Sequence, residues 1–344
     1  MGMMLLLHAP FHLLTDHLSR MEHTMSKHSA TARSHPNIAV IKYWGKRNIE
    51  LNLPAVPSIS LTLSKFHTTT TVHWNVDVDE FLLNNTTQSP ERSQKVFTFL
   101  DLIDVNRPPC KVESTNNFPT AAGLASSASA FSALAMAATS AAKQSPALEE
   151  LSILARQGSG SACRSFWDGW VEWKKGVQAD GLDSHGVPIA PANHWDVRMV
   201  MAVVSDQQKK ISSRTGMMDT QKTSPMYDAW CQTAAHDVHI ARNAILNKDL
   251  DTLGRQMEHS TLKMFSTMFT TQPSIRYWKP KTLAVVECVE SLRQQGVPCW
   301  YTMDAGPNVK ILCHAEHAQK IAHTVQKIVT NTHILEPGYG THLL

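Results

Sequence analysis

A run of very small and polar residues feeding an alanine-rich helix constrains this chain more than any other feature. Residues Asn116 to Ala130 read Asn-Asn-Phe-Pro-Thr-Ala-Ala-Gly-Leu-Ala-Ser-Ser-Ala-Ser-Ala. A helix entered at Gly123 leaves its first backbone N–H groups without intrahelical partners, and the positive end of its dipole attracts anions. Ala121, Ala122, Gly123 and Ala125 have no bulk to keep a phosphate away, while Ser126, Ser127 and Ser129 add hydroxyl donors. The spacing fits neither the Walker A loop nor the dinucleotide glycine pattern, so a mononucleotide is favoured over NAD. The competing reading is a small-residue helix packed closely on a neighbour.

With 344 residues, 42% of them hydrophobic, and no apolar run of membrane-spanning length, the sequence predicts one or two globular domains. A net charge of +3 argues against a large nucleic-acid footprint, so any site for anions must be a local concentration of Lys and Arg. Cysteines 110, 163, 231, 288, 299 and 313 form no C-x-x-C pair, which fits reduced thiols and a cytoplasmic location. Residues 1–34 carry His8, His12, His17, His23 and His28 without the basic flank of a signal peptide, and Met21 and Met25 are alternative starts. This segment is expected to be a poorly ordered extension.

β-branched and aromatic runs predict strands at 38–43, 58–63, 68–74 and 81–83, the last ending in a turn at Asn84-Asn85. Apolar periodicity predicts helices at 90–105, 123–142 and 146–156. A strand at 166–173 precedes a turn-rich segment, 176–194, which is the expected domain boundary. Beyond it, a strand at 197–204 and a helix capped by Ser224-Pro225 lead to further helices near 249, at 281–295 and at 317–329. Strands at 299–303 and 309–313 flank Asp304-Ala305-Gly306-Pro307-Asn308. The pattern is α+β.

Three further constellations carry chemistry. On a strand, Lys42, Trp44 and Lys46 share a face, so both lysines point into one pocket unless Gly45 breaks the pleat; a solvated basic edge is the alternative. Gly158-Ser159-Gly160-Ser161-Ala162-Cys163-Arg164 is a loop of small donors closed by a guanidinium fork, suited to an anion or else a flexible surface loop. Lys209, Lys210, Ser212, Ser213 and Arg214 form a comparable cluster, with a solvated loop as the alternative. Asp304 sits where most aspartates merely shape a turn.

Taken in order, the runs Asn37 to Arg47, Asn117 to Ala128, Gly158 to Arg164, Ser212 to Arg214 and Met303 to Asn308 resemble the mevalonate diphosphate decarboxylases of the GHMP small-molecule kinase superfamily. The likeness spans residues 35 to 340. Ala125 stands where kinases of the superfamily carry Gly, the decarboxylase form. Two departures, Val56-Pro57 after Leu53-Pro54 and Asn48 in place of Asp, put local turn geometry in doubt. The resemblance implies a two-domain GHMP kinase fold, with an N-terminal ribosomal protein S5 domain 2-like part (35–195) and a ferredoxin-like C-terminal part (196–344).

The resemblance also implies ATP and Mg2+ as cofactors, mevalonate 5-diphosphate as substrate and a homodimer, with neither nucleic acid nor membrane as partner. It assigns Asp304, Lys42 and Arg164 to catalysis, and Tyr43, Lys46, Ser159, Ser161, Ser213 and Arg214 to substrate. Asn117, Gly123, Ser126 and Ser127 fall to the nucleotide, with Asn84 and Asn85 near adenine, and no metal ligand is assigned. The implied reaction phosphorylates the C3 hydroxyl and then expels phosphate and CO2 to give isopentenyl diphosphate. A superfamily kinase that stops after phosphorylation, and a silent nucleotide-binding protein on the same scaffold, are the alternatives.

Overall fold

The computed structural model describes residues 28–118, 126–207 and 210–344. In chain order these form β1 (Ser29–Ser34), β2 (Asn37–Ile41), β3 (Lys46–Asn48), β4 (Leu53–Pro54), β5 (Ser58–Thr62), β6 (Thr68–Trp74), β7 (Glu80–Leu83) and β8 (Thr86–Thr87). Next come α1 (Pro90–Leu100), β9 (Cys110–Asn116), α2 (Ser126–Ala141), α3 (Leu148–Gly158), β10 (Trp170–Trp173), β11 (Gly186–Ala190) and β12 (Val197–Val203). The chain continues through α4 (Ser213–Thr223), α5 (Tyr227–Leu246), α6 (Leu250–Phe269), α7 (Pro280–Gln294), β13 (Cys299–Met303) and β14 (Val309–His314). It closes with α8 (Ala318–Val325), β15 (Asn331–Leu335) and β16 (His342–Leu343).

Among the described residues three larger sheets, ordered β16-β1-β6-β9-β7-β8, β11-β10-β5-β2 and β13-β14-β12-β15, form beside the two-stranded pair β3-β4. The first buries every second residue of β6, from Thr68 to Trp74, beneath α2. That helix lies close because Ala128, Ala135, Ala137 and Ala138 face inward. Trp74 Nε1 donates to the Ala138 carbonyl (3.1 Å), and the Thr68 and Ser129 hydroxyls share a hydrogen bond (2.7 Å). Helices α5 and α6 are held between the second and third sheets: Val238, Ala241, Ile245, Leu253 and Met257 share one core with Ile38, Ile59 and Leu61 on one side and Met199, Met201 and Leu312 on the other.

The structure corrects several sequence expectations. Residues 29–34, assigned to a disordered extension, form β1, which pairs with β6 and, through Ala32 and Leu343, with the returning C-terminus; the rest of the extension (residues 1–27) lies outside the described residues. Ser224-Pro225 does not open a helix. Ser224 follows the end of α4, and α5 starts at Tyr227. The cluster around 212–214 is the start of α4, where the Ser212 hydroxyl accepts Thr215 N–H at 3.1 Å. Asn48 fills its unusual position by accepting Leu51 N–H at 2.8 Å. The strand ending at Tyr43 stops at Ile41, because Gly45 takes φ +94°, a left-handed conformation that breaks the pleat.

Gly158, the last residue of α3, lies against Phe131 of α2, and a Cβ there would sit 2.1 Å from Phe131 Cδ1. Gly158→Ala is therefore expected to destabilise the fold by about 1–3 kcal/mol, the usual cost of overpacking. Urea unfolding checks this, and an unchanged midpoint would contradict it.

Candidate active site

A cleft of about 860 Å³ opens where α2, the loop after α3, the segment after β2, the start of α4 and the β13–β14 connection converge. Among the described residues, seven basic side chains line it against a single carboxylate, Asp304, so its field favours a multiply anionic ligand.

Asp304 stands at the turn leaving β13 and keeps 32% of its side chain exposed. Lys42 Nζ donates to its Oδ1 at 2.8 Å and Lys310 Nζ to its Oδ2 at 3.0 Å. Burial opposes ionisation of this carboxyl, but the two ammonium groups outweigh it and hold the pKa well below the usual carboxylate range. Lys42, 1% exposed, also donates to the Ala39 carbonyl (2.8 Å), and its backbone N–H is held by the Ser260 hydroxyl of α6 (3.0 Å). An ammonium has three donors, so one remains for a ligand. Burial lowers the Lys42 pKa to about 8, with Asp304 pulling the other way. Burial, Arg214 and Lys95 lower that of Lys46 to about 8 as well.

Arg164 is 2% exposed, yet its hydrogen bonds go to neutral groups. Nε donates to Ser60 Oγ (2.9 Å) and Asn37 Oδ1 (3.2 Å), Nη1 to Ser58 Oγ (2.8 Å) and Nη2 to Asn37 Oδ1 (3.0 Å). Its guanidinium also lies over the Trp173 ring, 5.8 Å from the centroid. A buried cation held by dipoles in place of an anion is ready for an anionic ligand. Asn37 is fixed in turn, its Nδ2 donating to the Ser161 carbonyl (2.9 Å) and Ser165 Oγ (2.8 Å). The Ser159 hydroxyl donates to Ser127 Oγ (3.1 Å), tying the loop after α3 to the start of α2.

Of the residues singled out from sequence, Lys42, Tyr43, Lys46, Ser126, Ser127, Ser159, Ser161, Arg164, Ser213, Arg214 and Asp304 all line this cleft. Lys42 and Lys46 meet there through the turn at Gly45, with no continuous strand face between them. Asn117 does not reach the cleft. Its Oδ1 accepts His67 N–H and its Nδ2 donates to the Lys65 carbonyl, both at 2.7 Å, so its amide helps to hold a loop. Asn84 and Asn85, with φ of 50° and 61°, form the β7–β8 turn, and Phe81, Leu83, Gln88 and Arg92 line the cleft nearby instead. Gly123 lies outside the described residues.

Sequence reasoning passed over Lys310, Lys95, and Asn37 with its partners Ser58 and Ser60. The signals were a lysine inside the apolar run Val309-Lys310-Ile311-Leu312 and serines alternating on buried β5. No group of three or more His, Cys, Asp or Glu suited to a metal occurs among the described residues. All six cysteines are free, and no described helix is long and apolar enough to cross a membrane.

Two family models match the chain: one described as a diphosphomevalonate decarboxylase-like N-terminal domain, over residues 34–186, and one as a mevalonate 5-diphosphate decarboxylase C-terminal domain, over residues 199–340. A diphosphomevalonate decarboxylase of Candida albicans is 35% identical over 334 residues, covering 92% of this chain and 91% of that protein. The mevalonate diphosphate decarboxylase from Enterococcus faecalis, described for its mevalonate diphosphate mediated ATP binding, superimposes with a TM-score of 0.86 at 38% identity, over 93% of this chain and 99% of that one. A solved complex with MVAPP, AMPPCP and magnesium superimposes with a TM-score of 0.87 at 39% identity, with the same coverage.

Because the folded-state pKa values of Lys42 and Lys46 lie below the ordinary lysine value of 10.5, the unfolded chain holds more protons between about pH 8 and 10.5. Their contribution to stability therefore rises with pH through that window. Lysine-selective NMR, assigned with Lys42→Arg and Lys46→Arg, is expected to find both ammonium groups titrating near pH 8. Midpoints at the ordinary lysine value would contradict the enclosure described here.

Proposed function

The chain belongs to the diphosphomevalonate decarboxylase family, and from that premise we infer how its cleft performs the reaction. The enzyme catalyses the ATP-dependent decarboxylation of mevalonate 5-diphosphate to isopentenyl diphosphate in the mevalonate pathway, and the family's members decide against a kinase that stops after phosphorylation. The residue roles rest chiefly on one observation: a carboxylate held between two lysines at the floor of a strongly cationic cleft.

ATP and Mg2+ are its cofactors. Magnesium keeps several waters and sits mainly on phosphate oxygens, so it fits a lining that offers the Ser126 and Ser127 hydroxyls and one carboxylate. When bound, it neutralises phosphate charge and helps hold the transferred group in line.

Lys46, Tyr43, Ser159, Ser161, Ser213 and Arg214 receive the substrate diphosphate, and Arg164 takes the substrate carboxylate with its planar fork. Ser126 and Ser127 cradle the nucleotide phosphates at the start of α2. Asp304 accepts a hydrogen bond from the C3 hydroxyl as that oxygen bonds to the γ-phosphorus and ADP leaves. A carboxylate clamped by two cations is a weak base, so it takes the proton only as the attacking oxygen loses electron density, and passes it to an oxygen of the newly bound phosphoryl group, which leaves Asp304 ionised for the second step. Its larger contribution is a fixed negative charge. In the second step the C3–O bond breaks toward phosphate, the C1–C2 pair forms the new double bond, and CO2 departs. Positive charge grows at C3 meanwhile, and Asp304 favours it while Arg164 keeps the carboxylate aligned.

The same reading divides the chain near residue 196, with the C-terminal strand β16 returning to the first sheet. It takes the enzyme as a cytoplasmic homodimer, a state that sedimentation equilibrium tests. Retention of the charged cleft residues argues against a silent binding protein.

Incubation with ATP, Mg2+ and mevalonate diphosphate is expected to give ADP and labelled CO2 in equal yield; ADP without CO2 would reduce the activity to a kinase. Asp304→Asn is expected to lower turnover on the order of a thousandfold with near-parental binding of both substrates, and turnover within about tenfold of the parent would remove Asp304 from catalysis. Arg164→Gln is expected to raise KM for mevalonate diphosphate and lower kcat together, because a neutral amide cannot reproduce the charged fork. Unchanged steady-state constants would displace Arg164 from the substrate carboxylate.

A further inference from the structure

Asp304 is gripped through both of its oxygens, and in the scheme above the group on Oδ2 serves only to keep the carboxyl ionised. Lys310 lies inside β14, opposite Thr302 of β13 and Met201 of β12, and its side chain is 2% exposed. With so little exposure, a lysine here carries a desolvation cost that an apolar residue would avoid. Its ammonium reaches back across the β13–β14 connection to Asp304 at 3.0 Å.

The far end of that connection is independently anchored. Asn308 Oδ1 accepts the N–H groups of Val204 (2.8 Å) and Ser205 (2.9 Å), and the Thr282 hydroxyl donates to the Pro307 carbonyl (2.8 Å). The tie from Lys310 is therefore not needed to close the loop; what it fixes is the carboxylate. Lys42 cannot do this alone, because it comes from the segment after β2, shares its ammonium with the Ala39 carbonyl and faces an anionic ligand arriving in the cleft.

We propose that Lys310 is a positioning residue for the decarboxylation: it fixes Asp304 Oδ2 from the C-terminal sheet, so that Oδ1 keeps its aim when substrate draws on Lys42. The inference rests on the catalytic reading of Asp304 given above. It also places a second ammonium beside Lys42, whose proton affinity Lys310 lowers by repulsion.

The test compares Lys310→Met and Lys310→Arg with the parent and with Asp304→Asn, measuring kcat, both KM values, the pH profile and thermal stability. Lys310→Met is expected to lower kcat by about 10–100-fold, the scale for a misplaced catalytic group, with KM for ATP and for mevalonate diphosphate within about threefold. Its alkaline limb is expected to move up by about one pH unit, as Lys42 is freed from a neighbouring cation. Lys310→Arg is expected to recover most of kcat and keep the parental limb. Where Lys310→Met does not fold, Lys310→Gln, which keeps an N–H donor but no charge, is expected to change in the same direction.

Parental kcat and pH profile in a neutral variant of Lys310, with only the melting temperature lowered, would overturn the proposal. So would an arginine variant as impaired as the neutral one. An active Asp304→Asn would overturn the catalytic reading itself, whereas an inactive Asp304→Asn beside a fully active Lys310→Met would remove only the positioning role.

Discussion

One carboxylate between two buried ammonium groups organises this molecule's chemistry. Asp304 bonds Lys42 at 2.8 Å and Lys310 at 3.0 Å, and those lysines come from opposite ends of the sequence, one from the segment after β2 and the other from β14. Each lysine alone would be an expensive burial. Together with the aspartate they become tolerable, and one positive charge is left over at the floor of the cleft. With Arg164 beside them, that surplus can receive an anionic substrate while the aspartate itself stays ionised. A group serving both as hydrogen-bond acceptor and as a fixed negative charge beside a carbon losing its leaving group needs this arrangement, because a freely titrating carboxyl would be neutralised by contact with the substrate's own anions.

The surrounding fold holds these charges at fixed separations. Gly45 turns the chain sharply after β2, which brings Lys42 and Lys46 to one cleft while Trp44 packs into the core. Arg164 is locked on Asn37, Ser58 and Ser60 by hydrogen bonds to neutral oxygens, so its charge is oriented without being cancelled. Ser159 and Ser127 join the loop after α3 to the start of α2. Positioning and charge neutralisation are what phosphoryl transfer mostly demands, and both are present before any ligand arrives.

Much of this was legible in the sequence, and the gaps have physical reasons. Residues that act through short local patterns, such as Ser126-Ser127 at a helix start or Gly158 to Arg164, were readable because spacing alone limits what they can do. Asp304 was recognisable only through its family context, since an aspartate before Ala-Gly-Pro otherwise reads as a turn former. Lys310 was missed because strand periodicity treats an internal lysine as an exception to be ignored, and its meaning appears only when β14 is laid beside the turn it serves. Strand β1 was missed because its pairing partners, β6 and the C-terminal β16, lie far away in sequence. For Asn117, adjacency to the phosphate loop pointed to a ligand contact, and the structure adds what adjacency does not show, an amide that joins His67 N–H to the Lys65 carbonyl.

Carbon-13 NMR of the aspartate carboxyl groups, with the Asp304 resonance assigned by Asp304→Asn, measures the central interaction directly. At pH 3.8, where an ordinary aspartate is half protonated, Asp304 is expected to remain ionised in the folded enzyme. A resonance midway through its titration at that pH would show that the two lysines do not hold the carboxylate, and the catalytic scheme built on it would fall.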